Sequence, residues 1–381
     1  MNFELNEDQL LLKEMVRDFA RKEIAPKIGY FEERHLFPKE IIQKLAGLGL
    51  MGMTIPSEYG GIKTDYLSLI LALEELSRVS PTVCLIVSVH ASLFSSSILK
   101  FGSPLQKEKY LPRAARGEIL GAFSLTEPGA GSDTTNLKTK AVKTGNEYIL
   151  NGTKAWVTSG SEADALILFA LTESEPWPSK LSAFIVEKDF PGFSVPRIEE
   201  KMGLHSSLTT EIALEDCRVP AENLLGEEGR GAAIALQVLD GSRIGIAAQS
   251  VGLSQQALEL AVSYAKQREA FGKKIAEFQA IQFMIADIAM LVDAARLLTY
   301  RAADHYDRGM PYAKEAAMAK LFSSEAANKV AYLALQIHGG YGYSKEYAIE
   351  RLYRDARVLS IYEGTSEIQR LVIARKLLKE S

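Results

Sequence analysis

Cysteine is scarce in this chain, two among 381 residues, and Cys84 and Cys217 are far apart with no CxxC spacing. That excludes a disulfide framework and a thiolate metal site, and two buried free thiols are expected. No run of eighteen apolar residues occurs, so no membrane span is expected. Blocks of one charge are missing too. With 44 basic and 48 acidic residues the formal charge is −4, and no Lys/Arg cluster offers a nucleic-acid footprint. The opening stretch, MNFELNEDQLLLKEMVRDFARKEIAP, carries acids from residue 4 onward and no signal-peptide core, which places the protein in the cytoplasm as an expectation.

Several catalytic signatures are absent as well. There is no Walker loop, no dinucleotide fingerprint of the Rossmann kind and no Gly-x-Ser-x-Gly elbow. A di-iron carboxylate bundle needs two Glu-x-x-His motifs on facing helices, and only Glu32-x-x-His35 is found. No metal is therefore expected.

What is present is a change of hydrophobic period along the chain. Residues 1–118 repeat near every four, with Leu10, Leu11, Met15, Val16 and Phe19 on one helical stripe and Pro26 as its stop. Pro38 and Pro81 suit first turns of helices, and Gly102 suits a C-terminal cap. From 119 to 228 the period falls to two: EYILNGTKAWVTSG, ALILFALT, LSAFIVEKD, FSVPRIEE and TTEIALEDCRVP read as strands. Asn151-Gly152 is expected to be a tight hairpin turn. Residues 229–381 return to long Ala/Leu-rich helices, the composition of a helical bundle. The predicted fold is thus mainly α with a central β domain: helices (1–118), a small barrel or sandwich (119–228), then a four-helix bundle (229–381).

Five stretches can carry chemistry. In FSLTEPGAGSD, Gly129 and Gly131 let backbone approach a ligand while Thr126 and Ser132 offer hydroxyls. In KAWVTSG, Trp156 and Thr158 are two apart and share a strand face, an indole beside a hydroxyl. In QREAFGKKIAEFQ, Arg268 precedes a glycine turn, which suits a guanidinium for phosphate. QIHGGYGY ends a helix in small and aromatic residues. In SIYEGTSEIQR, Glu363 sits at a break between two helices, with Ser366-Glu367-Ile368-Gln369 as a capping box for the second. Singly, each has an ordinary structural reading: a surface loop, a core indole, a solvated arginine, a helix cap and a frayed helix end.

Together, in this order and across essentially the whole chain, LTEPGAGSD, NGTKAWVTSG, REAFGK, QIHGGYGY and RDARVLSIYEGTSEIQR resemble the acyl-CoA dehydrogenase family of flavoproteins. The resemblance implies FAD as cofactor, an acyl-CoA substrate, an electron-transfer flavoprotein as acceptor and a homotetramer built as a dimer of dimers. It implies that Phe123, Leu125, Thr126 and Ser132 line the flavin side of the β domain, with Trp156 and Thr158 against the ring. Arg268, Phe271, Gln279, Gln336, Gly339 and Gly340 match positions that bind FAD across a subunit interface, and Thr365 and Glu367 match cofactor contacts in the last helix. Ser132, Asp240, Arg243 and Gly364 match substrate contacts.

Glu363 matches the family's catalytic base, which takes the proton next to the thioester while the β-hydride leaves for flavin N5, giving a trans-2-enoyl-CoA. In branches similar to isovaleryl-CoA dehydrogenase the base lies at the position of Ser242 instead, so this chain carries an acid at one of the two sites. Proton abstraction there asks for a carboxylate whose pKa burial has raised. The stretches LDGSRIGIA, KEAAMAKL and RDARVLSIYEGTSEIQRLVIA look most like short-chain, butyryl-CoA members. Branched, cyclic or aryl acyl groups are the alternative, since packing near Val87–Leu93 and Leu239–Ser242 sets pocket depth. A nitroalkane oxidase of the same superfamily lacks the YEGTSE pattern. A flavin-containing stress-response homologue without dehydrogenase activity is the alternative of another class, and the intact Glu363 speaks against it.

Overall fold

Helices fill the first part of the chain, and their ends follow local chemistry. In the computed structural model, described for residues 4–172 and 180–379, α1 (Glu7–Phe19) opens on a capping box. Asn6 Oδ1 accepts from the Gln9 amide at 2.8 Å, and Gln9 Oε1 accepts from the Asn6 amide at 3.1 Å. Pro26 does not stop the helix, contrary to expectation. A π turn at Ala20–Ile24 precedes α2 (Ala25–Arg34), where Pro26 occupies the first turn and its missing N–H costs nothing. The run ends instead at His35, whose φ is 54°. Of the predicted apolar stripe only Val16 is buried; Leu10, Leu11 and Met15 are exposed.

The other N-terminal helices are α3 (Lys39–Gly47), α4 (Tyr66–Val79), α5 (Pro81–Ser88), α6 (Ser96–Phe101) and α7 (Pro104–Ala115). Pro81 holds the first position of α5, whereas Pro38 is the N-cap of α3. A π turn at Val89–Ser95 joins α5 to α6. The resulting helical run Pro81–Phe101 is long and apolar enough to cross a membrane by length and composition, but 89% of its most apolar window is buried inside the protein. It is a buried core helix.

The strands are β1 (Gly121–Ser124), β2 (Lys140–Thr144), β3 (Glu147–Thr158), β4 (Ala165–Thr172), β5 (Lys180–Glu187), β6 (Phe193–Ile198), β7 (Thr209–Pro220) and β8 (Leu224–Leu225). They hydrogen-bond in the order β6-β7-β3-β2-β4-β5-β8, with β1 parallel to β4. Asn151-Gly152 is not the hairpin turn. The pairing of Thr144 with Glu147 places the turn at Gly145-Asn146, while β3 runs through residues 151 and 152 with a bulge there. Asn151 is tied across to β7, its Nδ2 donating to Asp216 Oδ1 at 3.0 Å and its Oδ1 accepting from the Asp216 amide at 2.8 Å. Gly152 has φ 151° and lies so close to Thr139 that a Cβ would meet Thr139 Oγ1 at 2.6 Å. The glycine therefore serves a close approach rather than a reversal. Cys84 and Cys217 are buried free thiols, as expected.

The C-terminal part is built on α8 (Gly231–Gln267), α9 (Gln279–Asp307), α10 (Ala313–His338), α11 (Ala348–Ala356) and α12 (Ser366–Lys379). A small hairpin, β9 (Glu269–Ala270) with β10 (Lys273–Lys274), links α8 to α9. Helix α8 packs against α4, α9 and α10, so it joins the N-terminal helices to the bundle. Helical, β and helical parts follow one another in the expected order.

Candidate active site

The break between α11 and α12 is held by buried donors. After α11 a 3-10 turn (Arg357–Ser360) leads to Tyr362, Glu363 and Gly364. Glu363 has φ 52° and Gly364 φ 95°, two consecutive left-handed residues of which only the second is glycine. Their carbonyls are pinned. Lys320 Nζ, from α10, donates to Gly364 O at 2.7 Å. Gln369 Nε2 donates to Gly364 O at 2.9 Å and to Glu363 O at 3.3 Å, and Arg243 Nε lies 3.5 Å from Glu363 O. Lys320 and Gln369 are fully buried and Arg243 is 4% exposed. A Cβ on Gly364 would meet Gln369 Nε2 at 2.6 Å, so the turn has no room for a side chain.

The capping box expected at Ser366 does not form: Ser366 Oγ is buried without a hydrogen-bond partner among the described residues, and the cap falls one residue earlier. Thr365 is the N-cap, its Oγ1 accepting from the Ile368 amide at 3.3 Å and its carbonyl from the Gln369 amide at 2.9 Å. Gln369 turns its side chain back onto the break. Glu367 lies exposed in the first turn of α12, held below its usual range by its own backbone amide and by Thr365.

The Glu363 carboxylate is half-buried and accepts a hydrogen bond from Ser242 Oγ of α8. Residue 242 thus carries a hydroxyl that donates to the carboxylate rather than a second acid. Burial raises the Glu363 pKa above the usual carboxylate range, with Ser242, Lys320 and Arg243 opposing the rise. Among the described residues the Glu363 amide has no acceptor. Next to it, Tyr362 donates from its hydroxyl to Gln249 Oε1 at 2.5 Å, and Gln249 Nε2 donates to Pro81 O at 2.8 Å. Tyr66 donates to Gly241 O at 2.9 Å. Arg243 is turned inward, with Nη1 on Asp240, and burial lowers its pKa despite that partner.

The β domain carries the second group of residues. Ala155 N donates to Thr126 O at 2.9 Å, which ties the glycine loop to β3. Beneath it, Lys154 Nζ donates to Leu125 O at 3.1 Å and to Glu127 Oε1 at 2.8 Å. Lys154 is fully buried, and Glu127 also accepts from the Thr139 amide at 3.0 Å and the Lys138 amide at 2.6 Å. Trp156 stands on a bulge with φ 59° and is 60% exposed; Val157 is buried and Thr158 half-buried, so Trp156 and Thr158 share the open side. Phe123 and Leu125 are half-buried against the core, and Ser132 is exposed.

The third group surrounds a cavity of about 580 Å³ lined by Arg268, Tyr264, His338, Gly339, Gly340 and Tyr341, among others. Arg268 packs over the Tyr341 ring at 5.3 Å. The structure therefore brings Arg268, Gly339 and Gly340 together, while Phe271, Gln279 and Gln336 are exposed outside that lining. Phe271 is 96% exposed at the tip of the β9–β10 hairpin.

A flavin dinucleotide asks for a flat apolar contact, backbone close to its ring and a cation for its phosphates. The residues fit: an exposed indole, open space where side chains would stand at Gly129, Gly131, Gly339 and Gly340, and Arg268 on a cavity.

Three family models match along the chain: acyl-CoA dehydrogenase N-terminal domain over residues 6–118, middle domain over 122–217 and C-terminal domain over 229–378. This chain belongs to the acyl-CoA dehydrogenase family. It is 51% identical to an acyl-CoA dehydrogenase of Bacillus subtilis over 98% of this chain and 99% of that one. The structure of butyryl-CoA dehydrogenase from Megasphaera elsdenii superposes with a TM-score of 0.97 at 43% identity, covering 99% of this chain and 100% of the other. An acyl-CoA dehydrogenase from Bacillus anthracis, solved in complex with FAD, superposes at 0.95 and 37% identity, covering 99% of this chain and 67% of that one. As a member of this acyl-CoA dehydrogenase family the protein is an oxidoreductase, and the family is FAD-dependent.

Lys320, Lys154, Glu127 and Gln369 are the residues that reading the sequence missed. For Lys320 a signal was present: it shares the buried stripe Ala316, Ala319, Ser323 and Ala327 of α10, where a lysine is out of place.

Proposed function

We propose that the protein is an FAD-dependent dehydrogenase of short-chain acyl-CoA thioesters, with Glu363 as the base that removes the α-proton. The observation that carries this reading is the Glu363 carboxylate at the helix break, raised in pKa by burial and aimed by Ser242. Its free amide suits the developing enolate oxygen, because a donor already oriented needs no reorganisation as charge grows. FAD, when bound, supplies the acceptor for the β-hydride. Trp156, Thr158, Phe123, Leu125, Thr126, Ser132, Thr365 and Glu367 would hold it, and Arg268, Phe271, Gln279, Gln336, Gly339 and Gly340 would hold the partner subunit's. Ser132, Asp240, Arg243 and Gly364 are assigned to the thioester and its CoA, and an electron-transfer flavoprotein to the role of electron acceptor.

The Tyr362–Gln249–Pro81 bridge supports the short chain. An acyl group needing more room beside the base would displace Tyr362 and leave the fully buried Gln249 amide without its partner, at a cost of about 1–3 kcal/mol. The homotetramer is supported by α9, which exposes Phe283, Met290 and Leu297 at seven-residue intervals, an apolar stripe suited to a second copy. The test is anaerobic bleaching of the bound flavin by a panel of thioesters, from short to long and including branched, cyclic and aryl groups. Butyryl-CoA should bleach fastest; a protein that no acyl-CoA bleaches would overturn the enzyme reading.

A further inference from the structure

A lysine ammonium sealed inside a protein normally sits against a carboxylate, because an unpaired buried charge is costly. Lys320 departs from that pattern. It is fully buried, its hydrogen bond runs to a neutral carbonyl, Gly364 O at 2.7 Å, and among the described residues no carboxylate forms a direct ion pair with it. What it reaches is the turn that holds the proposed base.

We infer that Lys320 is a positioning residue for Glu363, its ammonium fixing the left-handed turn through the Gly364 carbonyl and placing a positive charge behind the base. The inference rests on Glu363 being the base. Two features of the break make the argument. A non-glycine residue at φ 52° is strained unless its surroundings over-determine it, and Lys320 and Gln369 together saturate the Gly364 carbonyl that follows it. The charge faces the carboxylate as well. Glu363 is the leading favourable influence on the Lys320 ammonium, whose pKa burial depresses to about 8.

The groups around the pair come from four helices and the break itself. On α8 stand Ser242, Arg243 and, paired with Arg243, Asp240. From α4 comes Tyr66, and from the break itself Tyr362, both neutral phenols raised by burial. On α12 is Glu367, and on α10 Glu325, both of which favour the charged lysine, while Arg243 opposes it. Arg243 already has Asp240 for a partner. Among the described residues Lys320 has no such ion-pair partner, and Glu363 is the acid that acts on it most. Without such a cation, burial would raise the Glu363 carboxyl further.

The experiment titrates the base directly. Holoenzyme labelled with 13C-glutamate is followed by infrared spectroscopy against pH, with the Glu363→Gln difference spectrum assigning the band. Lys320→Met removes both hydrogen bond and charge; Lys320→Gln keeps a donor and removes the charge; Lys320→Arg keeps the charge. In the two neutral variants the Glu363 midpoint should move up by about one pH unit, the low end for loss of a nearby opposite charge. The acid limb of flavin bleaching should move with it, so that the rate below the parental midpoint falls about tenfold. Lys320→Arg should titrate close to the parent. A parental midpoint in both Lys320→Met and Lys320→Gln would overturn the inference, whatever their activity. An active Glu363→Gln would instead sink the base assignment, a result this titration would not produce.

Discussion

Replacing Lys154 by methionine should separate the value of a buried ion pair from the cost of breaking it. The ammonium is fully buried, joins the Leu125 carbonyl and the Glu127 carboxylate, and lies under the loop assigned to the flavin. Burial lowers Lys154 to about 8 even with Glu127 beside it, so the pair itself adds little net stability. Glu127 is buried as well; Lys154 and the Thr139 and Lys138 amides overcome that burial and hold its pKa below the usual carboxylate range. Lys154→Met strands a buried carboxylate and one carbonyl, which costs about 3–5 kcal/mol. The double variant Lys154→Met with Glu127→Gln removes both charges and should recover most of it. In the single variant the stranded Glu127 has its folded pKa raised above the unfolded one. Its penalty is therefore present above about pH 4.3 and disappears as pH falls below it. The assay is urea unfolding from pH 4 to 8 together with the FAD content of purified protein, which should fall in the single variant. Equal stability of the single and double variants at pH 7 would refute the reasoning.

Glu363→Gln should leave a folded, yellow protein with thioester-dependent bleaching reduced about 10²–10⁴-fold, the usual scale for a general base; its folded pKa is raised, so the parent loses stability as pH rises through the carboxyl titration while the variant does not. The thermal midpoint of the variant should therefore exceed the parent's at pH 8, with the gap closing in acid. Asp355 is raised to about 7 by burial and the nearby charge of Glu32, and accepts from the Leu204 amide at 2.7 Å. Its native state keeps the proton that the unfolded chain releases near pH 4. Parental stability should thus fall between about pH 4 and 7 from this group, and Asp355→Asn should flatten that fall in a series of thermal melts. Met290→Lys, on the exposed stripe of α9, should reduce the mass seen by light scattering and loosen FAD together; a change in neither would remove the proposed interface from that helix.

Much of the layout was legible because periodicity reports burial directly. Residues 209–220 read as a strand and are one, because the alternation that marks a half-buried strand is the same property the sheet needs; residues 165–172 are a short continuous apolar run and form a strand buried almost throughout. The errors are where a residue's local preference met a tertiary demand. Pro26 stops a helix only if the preceding turn is α, and a π turn there removed the conflict. Asn151-Gly152 prefers a turn, but pairing with Asp216 and contact with Thr139 used it as a bulge. Glu363 was legible through its break and its resemblance. The donors that hold it were not, because Lys320, Arg243 and Gln369 come from three different helices and meet only in space.

Helix α8 acts as a ruler. It carries Ser242 and Arg243 beside the proposed base, and Arg268 immediately follows its last residue, Gln267; at 1.5 Å per residue the two arginines lie about 37 Å apart along its axis. One residue gained or lost between them would turn one end by about 100° relative to the other. A chain that relies on both ends can lengthen its loops freely, but the interval from 243 to 268 can vary in composition and not in count.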